Sequence, residues 1–138
     1  MSEILVNKLT GTSTAGSILV TGEGNSTTTN LQQGLAKCWV NFNGSGTVAI
    51  RDSYNVSSLA DSDVGIYTLS WSNSFANDDY SSAGASGQNS NAMVTVSCAI
   101  DTTAPTTSAS LYNTNYENGS GGRFDATQVT IQVLGDLA

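Results

Sequence analysis

Apolar and polar positions alternate with a period of two along several stretches of this chain, and none shows the three-and-four spacing of an amphipathic helix. In one stretch Cys38, Val40 and Phe42 alternate with Lys37, Trp39 and Asn41, which predicts a half-buried strand. Asn43-Gly44-Ser45-Gly46 then gives a tight-turn signal of the Asn-Gly kind, because glycine accepts the positive φ that hairpin turns require. A return strand places Val48 and Ile50 on the inner face with Cys38, Val40 and Phe42, and the pattern continues through Tyr54 and Val56 towards Leu59. Trp39 falls on the opposite face.

Asp61 to Gly65 forms the next turn signal, after which Tyr67, Leu69 and Trp71 alternate with Ile66, Thr68 and Ser70. Most of the polar segment Ser72 to Ala92 reads as a long surface loop with Phe75 and Tyr80 as isolated anchors, since Gly84 to Asn91 carry no large apolar side chain. Met93 to Ile100 alternates again, with Val94, Val96 and Cys98 on one face, and Pro105 lies just beyond it. A weaker strand near Leu111 to Tyr116, a glycine-rich turn at Asn118 to Gly122 and a final strand from Thr127 to Leu134, with Val129, Ile131 and Val133 inward, complete the pattern.

Residues 1–35 differ. Their short apolar groups, Ile4 to Val6 and Ile18 to Val20, are separated by Thr, Ser and Gly and end in the low-complexity run Gly24 to Asn30. So few large apolar residues cannot build a core, so an arm that lies on the main domain or on another subunit is expected. The predicted architecture is all-β: one antiparallel β-sandwich or jelly-roll-like domain over 36–138, with an extended N-terminal arm over 1–35.

Composition agrees with this picture and narrows the function. Nearly half of the positions are Ser, Thr, Asn or Gly, and only 11% are charged, so the polar surface is mostly uncharged. Four basic residues against a net charge of -7 disfavour a nucleic-acid partner. No apolar run approaches the roughly 20 residues that cross a bilayer, and Met1 to Lys8 lack the pattern of a signal peptide, so no membrane partner is expected. Cys38 and Cys98 each sit in an apolar alternating segment and read as buried, unpaired thiols, although a disulfide becomes feasible if their strands are neighbours.

Candidate chemistry is sparse. Without histidine, Ser-His-Asp and Cys-His catalysis have no base, and imidazole metal sites are excluded. Asp61 with Asp63, and Asp78 with Asp79, are the only close carboxylate pairs, and aspartate in turns ordinarily bonds its own backbone. Asp61-x-Asp63-x-Gly65 matches half of a calcium loop but lacks the terminal bidentate glutamate, so a plain turn is the reading. Gly44-Ser45-Gly46-Thr47 lacks the lysine of a phosphate loop. The expectation is a non-enzyme with no cofactor and no metal. Recognition would fall to aromatic and amide groups: Phe75, Asp79, Tyr80, Asn89 and Asn91 as a ligand-facing loop, and Ile4, Val6, Ile18, Val20 and Trp39 as interface residues, Trp39 read as a subunit contact ahead of plain exposure.

The run Lys37 to Ser58, continued by Gly65-Ile-Tyr-Thr-Leu-Ser-Trp71 and Phe75-Ala-Asn-Asp-Asp-Tyr80, resembles a segment of phage fibre-like and other virion proteins, and the opening Ile4-Leu-Val-Asn-Lys8 resembles the starts of marine phage fibre proteins. A small residue such as alanine is commoner where Cys38 stands, and the last 40 or so residues add nothing to the likeness. The resemblance implies a β-rich, non-enzymatic virion component assembled in the host cytoplasm, generally a homotrimer. Since a full-length fibre adds an anchoring domain and a shaft, it implies foremost a capsid-decorating (cement or knob) protein partnered by the major capsid protein or another virion protein. The alternative is a tail-fibre or appendage module that binds a host-surface glycan.

Overall fold

The computed structural model describes residues 3–14, 16–87, 94–98, 105–116 and 122–138. The chain divides into two compact units, Met1–Leu35 and Ala36–Ala138.

The first unit contains a hairpin of β1 (Leu19–Thr21) and β2 (Thr28–Asn30), paired Leu19 to Asn30. One helical turn, α1 (Leu31–Gly34), follows it. Asn30 starts that turn: its Oδ1 accepts from the backbone N–H groups of Gln32 at 2.8 Å and Gln33 at 3.3 Å, serving two amides that a helix start leaves without partners. The segment read as an extended arm thus holds local structure. Even so, Leu5, Leu9, Leu19 and Leu35 remain exposed, because so short a hairpin has no second layer to cover them.

The second unit is an antiparallel β-sandwich. Its strands are β3 (Cys38–Asn43), β4 (Ala49–Tyr54), β5 (Val56–Asp63), β6 (Ile66–Trp71), β7 (Ser81–Gly87), β8 (Val94–Cys98), β9 (Ala109–Tyr116) and β10 (Gln128–Leu134). One sheet has the order β4-β3-β10-β7 and the other β5-β6-β9-β8. The alternations read from the sequence become the core: Cys38, Val40 and Phe42 pair with Val133, Ile131 and Val129 and face Tyr67, Leu69 and Trp71 of the other sheet. Phe42 and Tyr67 meet edge to face at 5.0 Å, and each large side chain so buried contributes about 1.5–3 kcal/mol.

Three expectations need correction. Ser72 to Ala92 is not a continuous loop, because β7 runs through it and pairs with β10 from Leu134–Ser81 to Gln128–Gly87. Its inward positions, Ser82, Gly84 and Ser86, have no apolar bulk for a pattern to register. Val96 fills the space instead, and a Cβ on Gly84 would lie 2.9 Å from it. Ile50 stays 38% exposed although it pairs with buried Phe42, because β4 is an edge strand and bulges at Arg51. The Asn43–Gly46 turn is longer than a two-residue hairpin, with Asn43 paired to Ala49; its positive φ falls at Gly46 (68°), while Gly44 is required because a Cβ there would overlap the Tyr67 hydroxyl.

Asn55 turns the chain from one sheet to the other at a left-handed φ of 59°. Its Nδ2 donates to the carbonyls of Lys37 and Asn73 and its Oδ1 accepts from the Asn73 N–H at 2.7 Å, so a single amide ties the corner to both neighbouring segments. The bulge at Arg51, ahead of this corner, is what turns Tyr54 to the outer face opposite Trp39. The glycine-rich turn expected at Asn118 to Gly122 lies outside the described residues apart from Gly122.

Candidate functional site

Alternation in β3 and the register of its neighbours decide what the outer face of the first sheet presents. Trp39 lies opposite Tyr54 on one side and Gln132 on the other, and Gln132 lies opposite Ala83. One step along, Asn41 lies opposite Asp52 and Thr130, and Thr130 opposite Ala85. Trp39 is 38% and Tyr54 53% exposed. Alanines on the edge strand leave the sheet low on that side, so Trp39, the amides and the β7 backbone enclose an open trough of ≈ 510 Å³.

Two polar groups are held in place. The Arg51 guanidinium donates to Asn41 Oδ1 at 3.3 Å, to the Phe42 carbonyl at 3.1 Å and to the Thr127 carbonyl at 2.6 Å, which leaves the Asn41 NH2 group to donate elsewhere. Thr130 donates its hydroxyl to the Ala85 carbonyl and keeps its lone pairs. Gln132 is exposed and its amide has no hydrogen bond among the described residues. The trough lining carries no titratable side chain. It offers stacking surface, amide donors and acceptors, and a hydroxyl.

The residues proposed from the sequence do not gather in one place. Phe75 is 2% exposed, packed against Trp71 at 5.8 Å and Tyr80 at 4.6 Å, so it belongs to the core and does not face a ligand. Tyr80 is half-buried in the same cluster, and its hydroxyl lies 3.2 Å from the Thr106 and Ala109 carbonyls. Burial raises its pKa. Asp79 is exposed, its backbone N–H donating to Asn77 Oδ1. Asn89 and Asn91 lie outside the described residues. Of the interface candidates, Ile4 (84%), Val6 and Val20 are exposed, and Ile18 is half-buried. Val6 and Ile18 share a depression of ≈ 310 Å³ in the first unit with Leu9, Leu31 and Leu35. Asp61 and Asp63 lie in β5, and among the described residues no group of three His, Cys, Asp or Glu side chains could hold a metal ion.

The two thiols are free and lie in different sheets. Cys38 is fully buried, and that burial pushes its pKa from the ordinary 9.0 up to about 12. At pH 8 a thiol of that pKa is thiolate in about one part in ten thousand, so the native protein should carry a single readily alkylated cysteine, Cys98, with Cys38 labelling only after unfolding. Mass spectrometry after iodoacetamide treatment reads this, and prompt double labelling would refute it. The raised pKa also favours the folded state fully below pH 9 and progressively less as pH climbs towards 12, since the unfolded chain ionises first. Cys38→Ala should therefore flatten the alkaline fall in stability.

The fold is an all-β sandwich, and the outer face of its first sheet presents Trp39, Tyr54, two amides and a hydroxyl. Comparison with known protein families, with curated proteins and with solved structures gives no match.

Proposed function

We propose that the chain is a non-enzymatic structural protein of a bacteriophage particle, a homotrimer that decorates the capsid and contacts the major capsid protein or another virion protein through its first 35 residues. The supporting observation is the apolar surface of those residues: Ile4, Leu5, Val6, Leu9, Leu19, Val20 and Leu35 are all exposed in the single chain, the kind of surface a partner would cover. The resembling segment Lys37 to Tyr80 supplies the sandwich with Cys38, Val40, Phe42, Tyr67, Leu69, Trp71 and Phe75, which fits a scaffold role.

Cryo-electron microscopy of the particle tests location, and mass in solution tests assembly. Decoration gives density repeated over the icosahedral lattice and a mass three times the 14.2 kDa of one chain. Density confined to tail tips, or a persistent monomer at high concentration, would overturn it. The double variant Ile4→Asp/Val6→Asp should lose shell binding while the sandwich keeps its β-sheet circular dichroism.

A further inference from the structure

We infer that the trough beside Trp39 is a binding site for a neutral sugar, held by stacking on Trp39 and by hydrogen bonds with Asn41 as donor, Thr130 as acceptor and Gln132 as either. This goes beyond the structural role and does not depend on it. The inference rests on three features that occur together.

The first is shape. The trough spans the two strand spacings from Trp39 to Ala83, roughly 10 Å, and its ≈ 510 Å³ lies within the roughly 300–1,000 Å³ typical of small-ligand sites. Tyr54, directly opposite Trp39, carries aromatic surface onto the adjacent edge strand.

The second is the kind of polar group. Asn41, Thr130 and Gln132 sit on the floor at adjacent strand positions and supply both donors and acceptors, with no charged side chain in the lining. The charges at its rim are of opposite sign and engaged within the protein, Arg51 donating to Asn41 and to two carbonyls and Asp52 accepting from the Ser53 N–H, so neither sign of ligand is favoured. A pyranose has the matching chemistry. Its axial C–H groups form an apolar face that is positively polarised against the negative face of an indole, and its hydroxyls both donate and accept.

The third is preorganisation. Arg51 fixes the oxygen end of the Asn41 amide, so its donor end is oriented before any ligand arrives. The position of Trp39 comes from β3, a central strand whose alternate residues Cys38 and Val40 are locked in the core. A protein–protein contact would favour an apolar centre. Here Trp39 has the Tyr54 ring on one side and the Gln132 amide on the other, Asn41 and Thr130 lie one step along, and β7 beyond them offers only alanine and glycine, so the apolar part is one aromatic strip beside polar groups.

The test is a printed panel of neutral oligosaccharides (glucans, mannans, galactans and N-acetylhexosamine oligomers), with sialylated and sulfated glycans as charged controls, followed by calorimetric titration of the strongest binder. At least one neutral oligosaccharide should bind, and Trp39→Ala should weaken it about tenfold or more. Gln132→Ala should weaken it several-fold, and Ala85→Glu, which puts a charged side chain into the trough from an exposed edge position, should abolish binding while leaving the circular dichroism unchanged. The inference is overturned if no neutral oligosaccharide binds at millimolar concentration, if only the charged controls bind, or if Trp39→Ala binds as the wild type does. It is equally overturned if Trp39→Ala lowers the oligomer mass while no sugar binds, which would make this face a contact between copies.

Discussion

Gly65→Ala should destabilise the sandwich by at least about 3 kcal/mol, combining backbone strain with overpacking. Gly65 closes the turn between β5 and β6 at a φ of 63°, a conformation that costs a residue bearing a Cβ about 1–2 kcal/mol. The larger effect is collision. A Cβ at this position would lie 2.7 Å from both the N and the O of Phe124 and 2.8 Å from the Thr114 carbonyl, all backbone atoms that cannot rotate away. Those atoms are themselves committed: Thr114 N–H donates to the Gly65 carbonyl, the Gly65 N–H donates to Asp125 Oδ1 at 2.8 Å, and Phe124 N–H donates to the Thr114 carbonyl. Pushing Phe124 outward would also withdraw its ring, and the methyl group of Ala126 behind it, from the core.

Gly46→Ala isolates the strain from the collision. Gly46 has a similar φ of 68°, yet a Cβ there meets nothing within 4 Å, so its substitution should cost only about 1–2 kcal/mol. Urea unfolding followed by tryptophan fluorescence reads both variants. Equal losses at the two positions would sink the argument, because they would mean that the Phe124 strap yields freely.

Sequence pattern reached the parts of this fold where one chain segment decides its own faces. Cys38, Val40 and Phe42, Tyr67, Leu69 and Trp71, and Val129, Ile131 and Val133 alternate because one side of each strand is buried, and the structure buries all nine. β7 escaped because Ser82, Gly84 and Ser86 carry no bulk, and the strand exists only through its ladder with β10 and the approach of Val96. Pairing between residues some 45 positions apart leaves no local trace. The same reason hid most of the trough. Trp39 and Asn41 could be assigned to an outer face from their own strand, but their neighbours Gln132, Thr130, Ala83 and Ala85 depend on β10 lying between β3 and β7. Tyr54 was obscured differently, by a bulge at Arg51 and a left-handed Asn55, both of which break the period of two.

Phe75 shows the limit from the other side, since a lone aromatic in a polar stretch gives no period to read. Phe75→Ala should cost about 3–5 kcal/mol, the range for truncating a buried phenylalanine. The ring sits between Trp71 and Tyr80, and a Cβ added at Gly135 would come within 3.0 Å of it, so little can relax into the void. The backbone around it joins two distant segments. Phe75 N–H donates to the Thr107 carbonyl at 2.8 Å, Ala76 N–H to the Asp136 carbonyl at 2.7 Å, and Ala138 N–H to the Ser74 carbonyl at 3.0 Å, while Phe75 bridges to Leu137. Losing the ring therefore loosens the C-terminal residues together with the cluster around Trp71. Asp79→Ala, four positions along on an exposed site, should change stability by no more than about 0.5 kcal/mol. Urea midpoints of the two variants, with Trp71 emission as an added report on the cluster, decide the matter. If Phe75→Ala proved as mild as Asp79→Ala while altering ligand binding, the ring would be a recognition element after all; a large loss with sugar binding retained by the folded fraction would place recognition on the Trp39 face.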